Sequence, residues 1–364
     1  MNIRSAVRHL AEKSYEEEFE PKENILDCAL GRNSFGTSGR VTESAKHYDW
    51  SNLWQHPDTS YKDLKQEICK FWSDCADLKV ANVKVANGSC VVISRFNKLF
   101  IEAGVKVLGY VPQWPAYMFE VEVLGGNYEA VPLDPQEDFK FNPDKLLSEI
   151  KPDCCIVYID NPNNPTGQLI SLSDIETIVR EAAKKDTIVM VDEAYGDYVE
   201  EKHSAVNLIN KYKNLVVTRT FTKGYGIGQD RVGYAILSTE LGEYYSRIEL
   251  PFSVSTMGAF LAREALLDQD FILNLRQQVK VKKAKLTKEL SKRGYFIGET
   301  CPSCPIFILG HKNKDVDLEE DLLSKGILTM SGNSFVNLGK NYVRVNTHPR
   351  AEDFLALFDK KLAR

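Results

Sequence analysis

Short apolar segments alternate with amphipathic ones between about Asp58 and Leu237. The apolar segments are rich in β-branched residues and predict strands at Val83–Ala86, Val105–Tyr110, Tyr128–Leu133, Cys155–Ile159, Ile188–Asp192, Leu215–Thr220 and Val232–Leu237. Several are apolar throughout, as is typical of strands covered on both faces. Between them lie helix patterns, one of which begins with a predicted capping box of Ser173 and Glu176. The alternation predicts an open, mostly parallel sheet with helices on both sides.

The pattern changes after Pro251, where two longer helices are predicted over Met257–Leu267 and Ile272–Arg293. Shorter strands and helices follow, at Ile306–Leu309, Val316–Lys325, Ile327–Met330, Tyr342–Thr347 and Ala351–Leu362. We therefore expect a second, smaller α/β domain. The predicted division is an N-terminal arm that packs on the small domain (1–47), a large domain (48–250) and a small C-terminal domain (251–364).

The predicted helix Ile272–Arg293 is rich in lysine. Its apolar face is formed by Leu275, Val279, Leu286 and Leu290. The lysines from Lys280 to Lys292 are therefore predicted to form its solvated side rather than a site for a polyanion.

The composition of the 364-residue chain, 43% hydrophobic and 27% charged, is that of a globular protein and excludes a disordered or fibrous one. A net charge of −5 indicates no basic surface for nucleic acid or anionic lipid. No apolar run approaches the ~18 residues of a membrane span, and Met1–Glu18 has no apolar signal-peptide core. We therefore expect a cytoplasmic protein without nucleic-acid or membrane partners.

Eight cysteines are present, and only Cys301 and Cys304 form a CxxC pair. Without a second pair or a histidine at finger spacing, this pair is weak evidence for zinc. We expect no metal site, and thiols that behave as small hydrophobic groups.

Two segments place polar groups at the ends of predicted strands. The sequence Asn-Pro-Asn-Asn-Pro-Thr-Gly (161–167) follows the strand Cys155–Ile159 and predicts a tight turn at the edge where open α/β sheets bind ligands. Asp192 ends the apolar strand that follows. A buried carboxylate there is costly unless it meets a cation, a metal ion or backbone donors.

A third segment joins Thr220, Thr222 and Lys223 to Arg231 through a glycine-rich loop. The hydroxyls and the arginine suit a phosphate group, and a desolvated Lys223 could form a Schiff base, although a lone lysine in such a loop is usually solvent-facing. Upstream, the segment 88–90 follows a strand and opens a helix pattern, whose backbone amides are a ready anion site.

In this order and spacing, the three segments resemble those of the fold-type I pyridoxal-phosphate (PLP) enzymes, in particular class I/II aminotransferases of the histidinol-phosphate aminotransferase type. The resemblance covers nearly the whole chain. It implies an α/β fold, in which a large domain with an open, mostly parallel sheet covered by helices is joined to a smaller C-terminal α/β domain. It also implies the cofactor pyridoxal 5'-phosphate and the exchange of an amino group between an L-amino acid and a 2-oxo acid.

The resemblance also implies roles for individual residues. Lys223 would hold the cofactor as a Schiff base and move the proton at the substrate Cα. Asp192 would pair with the pyridine nitrogen, and Asn164 and Tyr195 would bond the phenolic oxygen of the ring. Trp114 matches the ring-stacking position. The phosphate group would be held by Ser89, Cys90, Thr220, Thr222 and Arg231.

For the substrate, the resemblance points to Arg344, which would bind the carboxylate, with Asn164 and Asn33 beside it. The alternative for Arg344 is an internal salt bridge. His56 stands where many relatives carry a tyrosine that reaches the phosphate of the neighbouring subunit. We accordingly expect a homodimer and count His56 as a candidate cofactor contact.

Other functions stay open at this point. The same scaffold supports decarboxylases resembling threonine-phosphate decarboxylase, as well as cyclases and oxidases, and the choice depends on which Cα bond is aligned with the ring. A cofactor-binding regulator is disfavoured, because no basic helix-turn-helix pattern precedes the sheet. A generic nucleotide-binding protein is disfavoured by the absence of glycine-rich dinucleotide and P-loop motifs.

Overall fold

The computed structural model describes residues 2–8, 10 and 25–360. Its helices are α1 (Ser5–Arg8), α2 (Gly39–Lys46), α3 (Lys62–Phe71), α4 (Gly88–Asn97), α5 (Pro115–Leu124), α6 (Pro143–Glu149), α7 (Leu172–Ala183), α8 (Thr239–Ser246), α9 (Thr256–Leu266), α10 (Gln269–Lys292), α11 (Leu318–Ser324) and α12 (Ala351–Phe358). Its strands are β1 (Leu26–Asp27), β2 (Val83–Asn87), β3 (Lys106–Val111), β4 (Asn127–Pro132), β5 (Cys154–Asp160), β6 (Ile188–Asp192), β7 (Leu215–Thr220), β8 (Val232–Leu237), β9 (Phe296–Ile297), β10 (Ile306–Gly310), β11 (Ile327–Leu328), β12 (Met330–Ser331) and β13 (Tyr342–Asn346).

A seven-stranded sheet with the order β2-β8-β7-β6-β5-β3-β4 forms the centre of the fold. Its strands pair in parallel from β4 to β7, while β8 is antiparallel to both β7 and β2. The predicted α/β fold with a mostly parallel sheet is therefore confirmed. Because β5 and β6 run in parallel and in register, Asp160 lies directly opposite Asp192 at the carboxyl edge of the sheet.

The inner strands β5 and β6 are buried on both faces, which explains why they are apolar up to their last residue. Alternate residues of β5 belong to different hydrophobic clusters: Val157 and Ile159 pack in one, and Ile156 and Tyr158 pack in the other. The acidic residues of these two strands, Asp160 and Asp192, are thus confined to the strand ends, where the loops begin.

A four-stranded antiparallel sheet, β12-β13-β10-β9, lies in the C-terminal part of the chain, and β1 pairs in parallel with β11. Leu26 and Cys28 pack in the hydrophobic cluster of that region, together with residues of α10, α11 and α12. The domain division at residues 47 and 250 stays a prediction, and residues 1, 9 and 11–24 of the expected arm lie outside the described residues.

Several predicted element boundaries are wrong, including those of β11, α7 and α12. The expected strand Ile327–Met330 is two short strands, β11 and β12, which belong to different sheets. The N-cap of α7 is Ser171 rather than Ser173, since the Ser171 side chain accepts a hydrogen bond from the Asp174 amide. Helix α12 ends at Phe358, and the predicted end at Leu362 lies outside the described residues.

Lys283 contradicts the prediction that the lysines of α10 form its solvated side. It is only 2% exposed, because it falls on the same helix face as Val279 and Leu286. Its ammonium donates hydrogen bonds to the Thr300 hydroxyl and to the carbonyl oxygens of Cys301, Cys304 and Ile306. The oxygens of this loop thus replace the water that the charge loses on burial.

Candidate active site

A cavity of about 420 Å³ lies at the carboxyl edge of strands β5, β6 and β7. Ten of the predicted site residues line it: Ser89, Cys90, Trp114, Asn164, Asp192, Tyr195, Thr220, Thr222, Lys223 and Arg231. A larger cavity of about 690 Å³ lies beside the edge strand β4 and contains none of the predicted site residues. The fold therefore gathers residues from five separate loops around one space.

The acidic end of this cavity is Asp192, the last residue of β6. Its carboxylate accepts hydrogen bonds from the Thr218 hydroxyl at 2.9 Å and from the Tyr158 hydroxyl at 3.0 Å. Burial nevertheless raises the pKa of Asp192 to about 6. A carboxylate held in this way is oriented for a cationic or hydrogen-bond-donating partner within the cavity.

Lys223 and Arg231 supply positive charge to the same cavity. The Lys223 Nζ atom lies 5.5 Å from the centroid of the Tyr195 ring. Arg231 donates from Nη1 to the Thr222 hydroxyl at 3.2 Å, and the Thr220 hydroxyl accepts from the Thr222 amide, also at 3.2 Å. The amine and the guanidinium thus face a common space together with two hydroxyl groups.

The start of α4 closes in on Arg231 because residue 88 is a glycine. Gly88 has a φ of +77°, and a Cβ atom there would lie 2.7 Å from Nη2 of Arg231. The close approach brings the guanidinium beside the helix N-terminus that carries Ser89 and Cys90. An arginine, hydroxyl groups and a helix N-terminus fit a phosphate group, as PLP requires.

Arg344 lies on β13, is 1% exposed, and does not line the cavity itself. It donates from Nη1 to Asn164 Oδ1 at 2.8 Å and from Nη2 to the Ala29 carbonyl oxygen at 2.6 Å. Asn33 donates from Nδ2 to the carbonyl oxygen of Gly224 at 2.8 Å. Arg344 thus contacts Asn164, which lines the cavity, and Asn33 contacts Gly224, the residue after Lys223.

At Gly31 the N-terminal segment packs directly against the Tyr195 hydroxyl and the Lys223 amine. A Cβ atom at Gly31 would lie 2.4 Å from the Tyr195 hydroxyl oxygen and 3.0 Å from the Lys223 Nζ atom. This segment therefore covers the two groups so closely that a side chain has no room.

His56 is not among the residues that line the cavity of its own chain. It is exposed, and its ring centroid lies 4.9 Å from that of Phe252. Its expected contact with a cofactor phosphate in a neighbouring subunit stays a prediction.

Sequence reasoning missed Asp160, Pro162 and Ala194, which also line the cavity. Asp160 is the most informative of them, because it is a second buried carboxylate at the end of a strand. The signal that drew attention to Asp192, an acid closing an apolar strand, was equally present at Asp160.

Two features of the described residues bear on other functions. Nowhere in residues 2–8, 10 and 25–360 do three or more His, Cys, Asp or Glu side chains group so that they could hold a metal ion. Within the same ranges, no helix combines the length and the apolar character needed to cross a membrane.

Comparison with known proteins identifies the family. The model of the family "Aminotransferase class I and II" matches residues 23–356. A histidinol-phosphate aminotransferase of Methanococcus aeolicus is 27% identical over 376 residues, covering 97% of each chain. The matched region includes the whole cavity and the segments on either side of it.

Solved structures agree in fold. Histidinol-phosphate aminotransferase from Sinorhizobium meliloti, in complex with pyridoxal-5'-phosphate, has a TM-score of 0.81 at 22% identity and covers 91% of this chain and 88% of its own. A tetra mutant of Thermus thermophilus aspartate aminotransferase also has a TM-score of 0.81, at 19% identity, with coverages of 93% and 95%. The chain therefore belongs to the class I and II aminotransferases, and it is a transaminase.

Proposed function

We propose that this chain transfers an amino group between an L-amino acid and a 2-oxo acid, with Lys223 as the residue that holds the cofactor and moves the proton. The observation that carries this proposal is the single cavity in which Lys223 and Arg231 face the buried Asp192. An amine, an anion site and an acid are the three groups that the cofactor's aldehyde, phosphate and ring nitrogen need.

Nine residues besides Lys223 would hold the cofactor. Ser89, Cys90, Thr220, Thr222 and Arg231 would bind the phosphate, and Trp114 would lie against the ring. Asp192 would keep the ring nitrogen protonated, while Asn164 and Tyr195 would bond the phenolic oxygen. When bound, PLP supplies an aldehyde that condenses with amines and a ring that withdraws electrons from the substrate Cα.

Lys223 has the central chemical role in this proposal. Its amine is the group in the cavity that can form a Schiff base. Once the substrate amine takes that place, the Nζ atom would be free to remove the Cα proton and to return it two bonds away, at the carbon of the cofactor's aldehyde. Tyr195 lies beside this amine, and the close packing of Gly31 over both groups keeps the space around the proton transfer small.

Arg344 would bind the substrate carboxylate, with Asn164 and Asn33 beside it. A planar guanidinium can form two parallel hydrogen bonds to a carboxylate, which fixes its orientation as well as its charge. The bond from Arg344 to Asn164 supports this role, because it couples the carboxylate site to a residue that faces the ring. Histidinol phosphate, the substrate named for the relatives, belongs in the first set of amines to be assayed.

We also propose that the active form is a homodimer, to which each subunit contributes His56 near its partner's phosphate site. Exposed apolar side chains just before His56 in the chain support this, since Leu53 is 71% and Trp54 is 81% exposed. The cytoplasmic location expected from the sequence stays a prediction.

The direct test is a half-reaction with single amine donors. Loss of the visible absorbance of the bound PLP, with release of a 2-oxo acid, is expected for at least one donor in the wild-type enzyme. Lys223→Ala is expected to abolish both. Full turnover by Lys223→Ala, or release of carbon dioxide without amino transfer by the wild type, would contradict the proposal.

A further inference from the structure

We propose that Asp160 is a positioning residue of this active site: its carboxylate fixes, at the same time, the turn that carries Asn164 and the segment that carries Trp114. This inference rests on the proposed function, because it assigns Asp160 to the cofactor and substrate sites described above. Asp160 lines the cavity and is 3% exposed.

Four hydrogen-bond donors converge on this carboxylate. Oδ1 accepts from the Tyr110 hydroxyl at 2.9 Å, from Nε2 of Gln113 at 3.0 Å and from Nδ2 of Asn163 at 2.9 Å. Oδ2 accepts from the backbone amide of Asn164 at 2.9 Å. Three of these donors belong to the two loops that supply cavity residues, so one side chain ties both loops to the end of β5.

The contacts continue to the groups expected to touch cofactor and substrate. Asn164 accepts a hydrogen bond from Arg344, so the backbone bond from Asn164 to Asp160 fixes the partner of the proposed carboxylate site. On the other side, Gln113 directly precedes Trp114, the N-cap residue of α5. Asp160 can therefore act on substrate affinity through Asn164 and on cofactor affinity through Trp114.

The chemistry of the site requires a carboxylate rather than an amide. An ionised carboxylate only accepts hydrogen bonds, and here both of its oxygens face donors. An asparagine at position 160 would turn an N–H group toward one of those donors and lose that bond. Burial raises the pKa of Asp160, while the bonds from Asn163, Asn164, Gln113 and Tyr110 act in the opposite direction.

The Asp160 carboxylate also adds negative charge beside Asp192, where the ring nitrogen of the cofactor is expected. Asp160 pairs in register with Asp192 on the neighbouring strand, and it is one of the causes that raise the pKa of Asp192. A second buried carboxylate at this edge of the sheet increases the demand for a positive partner in the cavity.

The test compares Asp160→Asn with the wild type, using the holoenzyme for kinetics and the apoprotein for PLP binding. Because one buried hydrogen bond is lost, we expect the KM of the amino donor to rise about tenfold. We expect a similar rise in the dissociation constant of PLP, which is measured by quenching of tryptophan fluorescence. We expect kcat to fall less than threefold, because Lys223 and Asp192 stay in place. Tyr110→Phe, which removes one donor and keeps the ring, should show a smaller change in the same direction, and it carries the test if Asp160→Asn does not fold.

Glu193→Gln is the matched control. Glu193 is a buried carboxylate at the same edge, but its bonds go to the Ser204 hydroxyl, the Ala205 amide and Arg219, away from the cavity. This variant should lower the melting temperature while KM and PLP affinity stay within twofold of wild type. If Asp160→Asn and Tyr110→Phe also change only the melting temperature, Asp160 is structural and the inference is wrong.

The two proposals fail in different ways. A wild-type enzyme that transfers no amino group would contradict the proposed function. Because the fluorescence titration uses the apoprotein and PLP alone, it still decides whether Asp160 positions the cofactor site.

Discussion

Asp192 is a buried carboxylate whose ionisation opposes folding until a positive group lies beside it. Its pKa of about 6 in the folded protein is higher than the ordinary value of 3.8. The folded state therefore binds more protons than the unfolded state between about pH 4 and 6, and stability falls as the pH rises through this window. Above it, the ionised carboxylate costs on the order of 3 kcal/mol.

We therefore expect Asp192→Asn to stabilise the apoprotein and to disable the enzyme. At pH 7.5 the melting temperature of the variant apoprotein should be a few degrees above that of the wild-type apoprotein. This difference should be smaller at pH 4.5, where wild-type Asp192 is protonated. With PLP, kcat should fall by ~10² or more, because the charge opposite the ring nitrogen is gone. Differential scanning fluorimetry at both pH values checks the first part. A lower melting temperature for the variant apoprotein at pH 7.5 would refute this account of Asp192.

Gly31 is the second residue whose identity is dictated by the site. Gly31→Ala would displace the Tyr195 hydroxyl and crowd the Lys223 amine, because the added Cβ would lie 2.4 Å from the hydroxyl oxygen and 3.0 Å from the Nζ atom. A displacement of about 1 Å in such groups can lower rates by ~10², and we expect this loss in kcat/KM with a small change in melting temperature.

Gly39→Ala is the control for this substitution, since it lies in the same part of the chain and its Cβ would have nothing within 4 Å. Steady-state kinetics of both variants should show normal activity for Gly39→Ala alone. Equal activity of the two would mean that the segment does not cover the amine in solution.

At the level of elements, Lys283 connects α10 to the loop that leads into β10. Burial lowers the pKa of its amine to about 8, and the charge at neutral pH is held by four loop oxygens. This loop also contacts the cofactor side of the molecule, because the Cys301 amide donates to the Gly167 carbonyl oxygen at 2.8 Å.

Lys283→Met should destabilise the protein by on the order of 3 kcal/mol, because the loop oxygens lose their donor inside the protein. The neighbouring Lys282→Met is the control: Lys282 forms a partly exposed ion pair with Glu352, and such pairs contribute little. Urea unfolding followed by circular dichroism measures the free energy of unfolding of both variants. A Lys283→Met protein as stable as Lys282→Met would show that the buried ammonium does not hold this loop.

The elements also show which structure can be predicted from a sequence. The strands Ile188–Asp192, Leu215–Thr220 and Val232–Leu237 match their predicted bounds, because each contains a short apolar run between polar loops. Helical spacing places Lys283 between Val279 and Leu286 on the apolar face of α10, but a charged side chain is by itself expected in solvent. Its acceptors, the Thr300 hydroxyl and three backbone carbonyl oxygens of the following loop, carry no mark in the sequence.

The same limit applies to the site. The acid, amine and arginine were recognisable since Asp192, Lys223 and Arg231 each follow a predicted strand at a motif position. Asp160 was missed because its function depends on four donors from three different segments. Which donors meet at that point follows from the packing of β3, β5 and the turn after β5.

For the whole molecule, the exposed apolar side chains of one segment bear on assembly. Leu53 and Trp54 are largely exposed, and Phe252 beside His56 is 50% exposed. An apolar surface of this kind is unfavourable in water and is typical of an interface. A dimer that covers it would also bring His56 close to a second subunit.

We therefore expect a dimer of twice 41.2 kDa in solution, and a monomer when Leu53→Glu and Trp54→Glu are combined, because two charges then have to be desolvated at the interface. The double variant should also retain PLP less well, since it loses the contribution of its partner's His56. Sedimentation velocity and the ratio of protein to cofactor absorbance measure the two effects. Val281→Glu, a change at another exposed apolar residue on α10, should leave both unchanged. A wild-type monomer, or a double variant that stays dimeric, would place the interface elsewhere and remove the reason to assign His56 to the neighbouring site.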